Sequence, residues 1–295
     1  FDAKDDAAPN GDAIMSWFVF ALFFWGGAWA LNAYLANSPW RGSMPVRVLI
    51  PVLFGVTLLV LWEGIVRGFG VSPVILPAPS TVASTFANST DILWEDFRQT
   101  VFKGALSGFI IGASAAFATA VLIDRSAFLT RGLLPIGNFV AALPIVGIAP
   151  ILVNWFGFDW HSKAAVVVVM VFFPMLVNTV QGLADTDSMQ RDLMQTYAAS
   201  YSQILLKLRL PAAMPFIFNG LKIATTLALI GAIVAEYFGS PTRGMGFRIS
   251  TGVGSLSIDL VWAEIAVAAM VGTVFYGLMA WIEGRVTFWH PSQRG

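Results

Sequence analysis

The stretch AAVVVVMVFFPMLVNTVQGLA, Ala164 to Ala184, carries no charge over 21 positions. A helix needs about 20 predominantly apolar residues to cross roughly 30 Å of hydrocarbon, and this run has that length. Backbone polar groups at such depth meet no water, so only helices and closed barrels span a membrane. The alternation of a lipid-facing barrel strand is missing from Ala165 to Phe173, so the run reads as a transmembrane helix.

Working outward, Ala13 to Trp40 holds no charge over 28 residues, Gly104 to Ile123 none over 20 and Gly132 to Phe158 none over 27. Three more runs are bounded or interrupted by charge: Val48 to Val66 with Glu63, Phe216 to Phe238 with Lys222 and Glu236, and Val261 to Ile282 with Glu264. Seven spans predict an all-α polytopic membrane protein. Composition agrees, since 57% of the 295 residues are apolar and 12% charged, against about 25% charged in a soluble domain. The 17 basic residues balance the 17 acidic ones, leaving no basic excess to bind nucleic acid. With no cysteine and two histidines, disulfide frameworks, thiolate metal sites and cysteine nucleophiles are excluded.

The chain opens on Phe1 rather than Met, so residues upstream are expected, and residues 1–12 form a polar, acidic, external tail. Ala13 to Ala36 lacks the basic leader and cleavage site of a signal peptide and reads as a retained helix. Residues 13–66 supply two N-terminal spans, and 67–100 the longest external connection. There Leu76-Pro77-Ala78-Pro79-Ser80 leads into a short amphipathic helix at Thr81 to Phe86, with Ser80 available as its N-cap. Lys and Arg in the loops set orientation. With the Ala184–Pro211 loop in the cytoplasm, nine basic residues (Arg41, Arg47, Arg125, Arg131, Arg191, Lys207, Arg209, Arg285 and Arg294) lie inside and seven in longer loops outside. The N-terminus is then external and the tail 286–295 cytoplasmic. Neither a linker nor a repeat of fixed period divides the chain.

The stretch from Asp185 to Pro211 holds two short helices meeting near Ala198 to Ser200. Leu193 and Tyr197 share a face of the first; Ile204, Leu205 and Leu208 form an apolar stripe on the second, beside Lys207 and Arg209. By pattern alone this is either a docking element or a plain interfacial loop. Charges within spans suggest roles: Lys222 lines a path or snorkels, and Glu236, 14 positions on, lines the path, anchors an outer gate or bonds to a neighbouring helix or the Ser240–Arg243 turn. Glu63, Glu264 and Glu283 lie near span ends, where interfacial solvation accounts for them. Asn178, beside Phe172, Phe173 and Pro174 at a predicted interruption of its span, is a candidate pathway residue. Pro135-Ile136-Gly137-Asn138, followed by Pro144 and Gly147, has the same character, and ordinary helix packing is the competing reading. His161 beside Trp160 belongs to an outer aromatic belt. No Gly-x-x-x-x-Gly-Lys-[Ser/Thr], His-Glu-x-x-His or Gly-x-Ser-x-Gly occurs, so no enzyme is expected and ATP hydrolysis falls to another chain.

The hairpin resembles the cytoplasmic signature loop of bacterial ABC-importer permeases. Leu208-Arg209-Leu210-Pro211-Ala212-Ala213-Met214-Pro215 fits its Leu-Pro end, and Ala198-Ala199-Ser200 falls where the family has Gly-Ala-Ser. Asp192-Leu193-Met194 stands in place of Glu-Ala-Ala, and Ala198 replaces the glycine, so the turn is made by a residue that resists positive φ. The resemblance covers roughly Leu61 to Arg285 and is closest to the nitrate, bicarbonate, taurine and alkanesulfonate group. Leu76-Pro77-Ala78-Pro79, Leu143-Pro144-Ile145-Val146, Trp155-Phe156-Gly157, Phe172-Phe173-Pro174, Asn178-Thr179, Gly220-Leu221-Lys222-Ile223-Ala224 and Val234-Ala235-Glu236 stand in that group's order.

This resemblance implies a type I ABC importer transmembrane fold, six family helices plus the extra first span, with the permease domain over 94–285 and a coupling hairpin at 185–211. It implies a homodimer in the bacterial inner membrane, two ATP-binding ABC subunits that hold ATP and Mg, and a periplasmic solute-binding protein; the chain itself needs no cofactor. Asp192, Tyr197, Ala198, Ala199, Ser200, Tyr201 and Pro211 are then the coupling residues, and Phe172, Phe173, Asn178, Lys222 and Glu236 the translocation path. The implied cargo is a small anion such as nitrate, a sulfonate, taurine or bicarbonate, or a pyrimidine-like or riboflavin-like vitamin precursor. A self-sufficient secondary transporter or channel is the alternative, and predicts coupling acids facing one another in mid-membrane with no docking hairpin.

Overall fold

The computed structural model describes residues 11–239 and 242–289. The tails 1–10 and 290–295, with His290, the residues Ser240 and Pro241, and the side chain of Asn138 lie outside the described residues. Every regular element among those described is helical: α1 (Gly11–Asn37), α2 (Met44–Gly68), α3 (Pro79–Asn88), α4 (Thr90–Phe97), a π-helical segment (Arg98–Leu106), α5 (Ser107–Ile123), α6 (Ala127–Ala141), α7 (Ile145–Phe156), α8 (Trp160–Ala184), α9 (Ser188–Thr196), α10 (Tyr201–Ile204), a second π-helical segment (Leu205–Arg209), α11 (Leu210–Gly239), α12 (Met245–Gly254) and α13 (Ile258–Val286). Among the described residues, six continuous helical stretches are long and apolar enough to cross a membrane: Ser16–Asn37, Met44–Gly68, Thr90–Ile123, Trp160–Ala184, Tyr201–Gly239 and Ile258–Val286.

The chain divides into two compact units, residues 1–90 with 252–263 and residues 91–251 with 264–295. In the first, α1 and α2 pair antiparallel, with Gly64 against Ala21 and the Phe18 and Phe69 rings 5.2 Å apart. The expected helix at Thr81 to Phe86 extends over Pro79–Asn88, and its N-cap is Ala78, not Ser80. Pro79 suits the first helical position because its missing N–H would be unpaired there in any case. The Ser80 hydroxyl and amide instead donate to the Glu63 carboxylate at 2.7 and 2.9 Å, beside Arg67. Glu63 is thus held by the chain, where interfacial solvation was expected.

In the second unit α8 is the central helix, flanked by α5 and α11. Small residues recur every four positions on α5, at Gly108, Gly112, Ala116 and Ala120, and all four are buried. A Cβ at Gly108 would lie 2.5 Å from the Val167 Cβ, so only glycine allows that approach. On α11 the series Gly220, Ala224, Ala228, Ala232 plays the same part against Met175, Asn178 and neighbouring α8 residues. Close backbone approach through small residues is how helices associate where lipid is as apolar as their side chains.

The expected span Gly132 to Phe158 is not one helix. It is divided between α6 and α7 around Ala142-Leu143-Pro144. Pro144 disfavours helical backbone at Leu143 and lacks the N–H needed to continue the ladder. At about 1.5 Å per residue, 15 and 12 residues give roughly 22 and 18 Å, each too short to cross alone. Together they still make a crossing. Asp124, just before α6, bonds to Arg209 at one end of α11, and Lys163, just after α7, bonds to the Gly239 carbonyl at the other.

Candidate functional site

The hairpin between α8 and α11 is built by local capping. Asp187 accepts from the Met189 amide at 3.1 Å to start α9. At its end the Ala198 amide donates to the Gln195 carbonyl (2.8 Å) and the Ala199 amide to the Met194 carbonyl (3.0 Å), the paired bonds of a Schellman turn. Ala198 closes that turn at φ +53°, the left-handed conformation that glycine ordinarily takes there. Ser200 then opens α10 through a reciprocal capping box with Gln203. Pro211 has no N–H for the Lys207 carbonyl, and the backbone before it widens into the π-helical segment 205–209.

On α9, Met189, Leu193 and the following Tyr197 stand at i, i+4 and i+8 and are 75%, 57% and 79% exposed. Three large side chains thus stand exposed on one face of a capped helix, a patch of the kind that marks an interaction site. Asp192, Ala198 and Ser200 are exposed beside it, while Ala199, Tyr201 and Pro211 are half-buried. Met189 was missed in sequence because its partners one and two turns on were read without it.

Tyr201 faces inward. Its hydroxyl donates to Asp124 Oδ2 at 2.7 Å, and the Arg125 guanidinium covers its ring at 4.5 Å. Arg209 donates to both Asp124 oxygens, at 2.7 and 2.6 Å, and through Nε to the Leu183 carbonyl at 2.9 Å. The hairpin's second limb is therefore fastened to the ends of both α5 and α8. Asp124 and Arg209 stand 85 positions apart, and no local pattern announces the pair.

The expected path residues have distinct surroundings. Phe172 and Phe173 meet edge to face at 5.0 Å and pack on the buried core around α8, and Phe173 also lies against Gly137. Asn178 donates to the Pro174 carbonyl (2.8 Å) and accepts from Asn219 (3.0 Å); α8 runs unbroken through Pro174, against the interruption expected there. A cavity of about 140 Å³ opens at the break between α6 and α7, bounded by Val140, Leu143, Ile148, Met170, Pro174 and Leu227. Irregular backbone at membrane depth is tolerated where it lines such a space.

Lys222 does not snorkel. Its ammonium meets Glu283 at 2.7 Å, with the two side chains 18% and 11% exposed, so Glu283 is paired rather than solvated. Glu236 accepts from the Thr100 hydroxyl (2.7 Å) and the Gly246 amide (3.1 Å), and so caps α12 from a neighbouring helix. The Thr100 hydroxyl in turn accepts from the Met245 amide, and Asp96 holds the Gly244 amide and Arg248. Within this chain Glu236 is turned to those groups and is buried. Glu264, expected at an interface, is also buried, its oxygens without a hydrogen bond among the described residues. His161 is exposed, its ring 4.1 Å from that of Trp160.

A model of the family described as "binding-protein-dependent transport system inner membrane component" matches residues 108–288. A Haemophilus influenzae protein named "probable ABC transporter permease protein" is 32% identical over 245 residues, 82% of this chain and 98% of its own. The formylaminopyrimidine transport permease protein of Halalkalibacterium halodurans is 30% identical over 84% of this chain and 98% of its own. The riboflavin transport system permease protein of Chloroflexus aurantiacus is 29% identical over 85% and 91%.

Proposed function

The chain belongs to the family of binding-protein-dependent transport system inner membrane components, and from that premise we propose that two copies of it form the path of an ATP-binding-cassette importer for a small solute. A family member of this kind is the transport permease and not the catalytic subunit. Two ATP-hydrolysing subunits dock on the 185–211 hairpins, and an external binding protein delivers the cargo. The N-terminus lies outside and the C-terminus in the cytoplasm.

The capped hairpin with Met189, Leu193 and Tyr197 exposed on one face carries the reading. A self-sufficient transporter needs no such projection, and the acids it would couple through are not in mid-membrane. Glu236 lies in the last turn of α11 and Glu264 in the second turn of α13.

The cargo is an uncharged heteroaromatic compound rather than a small anion. Two observations support this: Lys222 is paired with Glu283, and the cavity at the helix break is bounded by apolar residues. Relatives named for formylaminopyrimidine and riboflavin transport stand beside others named for aliphatic sulfonate, taurine and bicarbonate transport, so the choice of cargo rests on the pairing of Lys222 and the apolar cavity.

The test is uptake by the native complex and its binding protein in proteoliposomes with enclosed ATP, comparing radiolabelled formylaminopyrimidine with taurine. ATP-dependent accumulation of the pyrimidine alone is expected. Accumulation of taurine reverses the cargo assignment, and uptake without nucleotide overturns the importer reading.

A further inference from the structure

We propose that Asp124 is a positioning residue that ties the hairpin to two membrane helices, so that movement of the hairpin reaches α5 and α8 together. The proposal rests on the reading of 185–211 as the ATPase contact.

Asp124 sits at the C-cap of α5, where the helix presents its negative end and a carboxylate is electrostatically misplaced. Nothing in α5 itself accounts for an acid there. The hairpin does: both oxygens are held by the Arg209 fork, and Oδ2 also accepts from the Tyr201 hydroxyl. A guanidinium can do this while its Nε donates to a third group, here the Leu183 carbonyl in the last turn of α8. One carboxylate and one guanidinium therefore join three elements. Both side chains are largely buried, at 11% and 14% exposure, so water does not loosen the pair.

The exposed contact face lies on the other limb, and among the described residues no α9 side chain bonds to a membrane helix. A push on Met189, Leu193 or Tyr197 enters the turn at Ala198 to Ser200. It then reaches Tyr201 and Arg209, where the tie to α5 and α8 is made. Without Asp124 the second limb keeps its covalent join to α11 and the Arg125 ring contact but loses its hydrogen bonds to the C-cap of α5.

The chain contains no cysteine, which permits single labels without altering any native residue of the tie. Bimane is placed on Gln195→Cys in α9 or Ile110→Cys in α5, both exposed positions. The complete complex, with its co-isolated ATPase, is examined in nanodiscs before and after ATP with orthovanadate.

In the otherwise unaltered chain both labels respond. With Asp124→Asn the response at 195 persists while that at 110 falls by about fivefold or more, the lower end of ordinary coupling between sites; Asp124→Glu restores it. Should Asp124→Asn fail to assemble, Tyr201→Phe keeps the ion pair, removes one hydrogen bond and lowers the response at 110 by about twofold or more.

An undiminished response at 110 in Asp124→Asn, or in Tyr201→Phe where only that variant assembles, overturns the proposal. Loss of both responses in Asp124→Asn overturns it too, because it shows docking rather than transmission to depend on Asp124. A label at 195 that ignores ATP in the unaltered chain refutes the coupling reading itself.

Discussion

Replacing Ala198 by glycine should tighten the hairpin turn. Ala198 occupies the position after the C-cap of α9 at φ +53°, with its own amide and that of Ala199 donating back to Gln195 and Met194. Left-handed backbone costs an L-residue about 1–2 kcal/mol, and glycine avoids this. Glycine's wider freedom when the turn opens takes back about 0.4–1 kcal/mol. The balance favours Ala198→Gly by about 0.5–1 kcal/mol, a factor of about two to five in the opening equilibrium. The assay is hydrogen exchange at the Ala199 amide in the detergent-solubilised chain, since its bond to Met194 exists only while the turn is closed. Slower exchange by that factor is expected for Ala198→Gly, and faster exchange for Ala198→Val, whose β-branch fits the left-handed region worse. Unchanged or faster exchange in Ala198→Gly would refute the strain argument.

Three other perturbations follow from the packing. Lys222→Met leaves Glu283 as an uncompensated, nearly buried charge and should lower thermal stability in detergent, whereas adding Glu283→Leu should recover most of the loss because an apolar pair replaces an ion pair at little net cost. Gly244→Ala places a Cβ 2.5 Å from the Glu236 carboxyl at φ +119°, a strain of about 1–3 kcal/mol. Exchange of the Met245 and Gly246 amides should rise about tenfold, as 1.4 kcal/mol of lost anchoring implies. Gly108→Leu should force α5 from α8 and depress the melting temperature far more than the same change at Gly132, where a Cβ would meet nothing within 4 Å.

Much of this architecture is legible because membrane burial is a linear constraint: the length of an uncharged run is nearly the length of its helix. That is why α1, α2, α8 and α13 fall close to the stretches read from charge alone. The same signal hid the break at 142–144, since Ala142, Leu143 and Pro144 are as apolar as the helices they separate. The turn near Ala198 was readable from the periodicities on either side of it, because a helical hairpin is set by neighbours in sequence. Contacts over long separations were not. Lys222 and Glu283 stand 61 positions apart, and Thr100 and Glu236 136, so each charge in a span had to be judged without its partner. Read alone, Lys222 was assigned to the path or the interface, and its pairing with Glu283 lay beyond reach of any local pattern. The four-residue spacing of small residues on α5 and α11 is present in the sequence, but such a series does not say which helix it will approach.

The central claim is that this chain borrows its motor through the exposed face of α9. Isolation of the complex from its native host in mild detergent, with and without the double change Leu193→Ser and Tyr197→Ala, tests it most directly. A P-loop ATPase present mole for mole with the unaltered chain and lost from the altered one, while the altered chain keeps its helical content and melting temperature, is the predicted result. An unaltered chain that emerges without any ATPase yet still moves solute in liposomes, or an altered one that keeps its full complement, would contradict it.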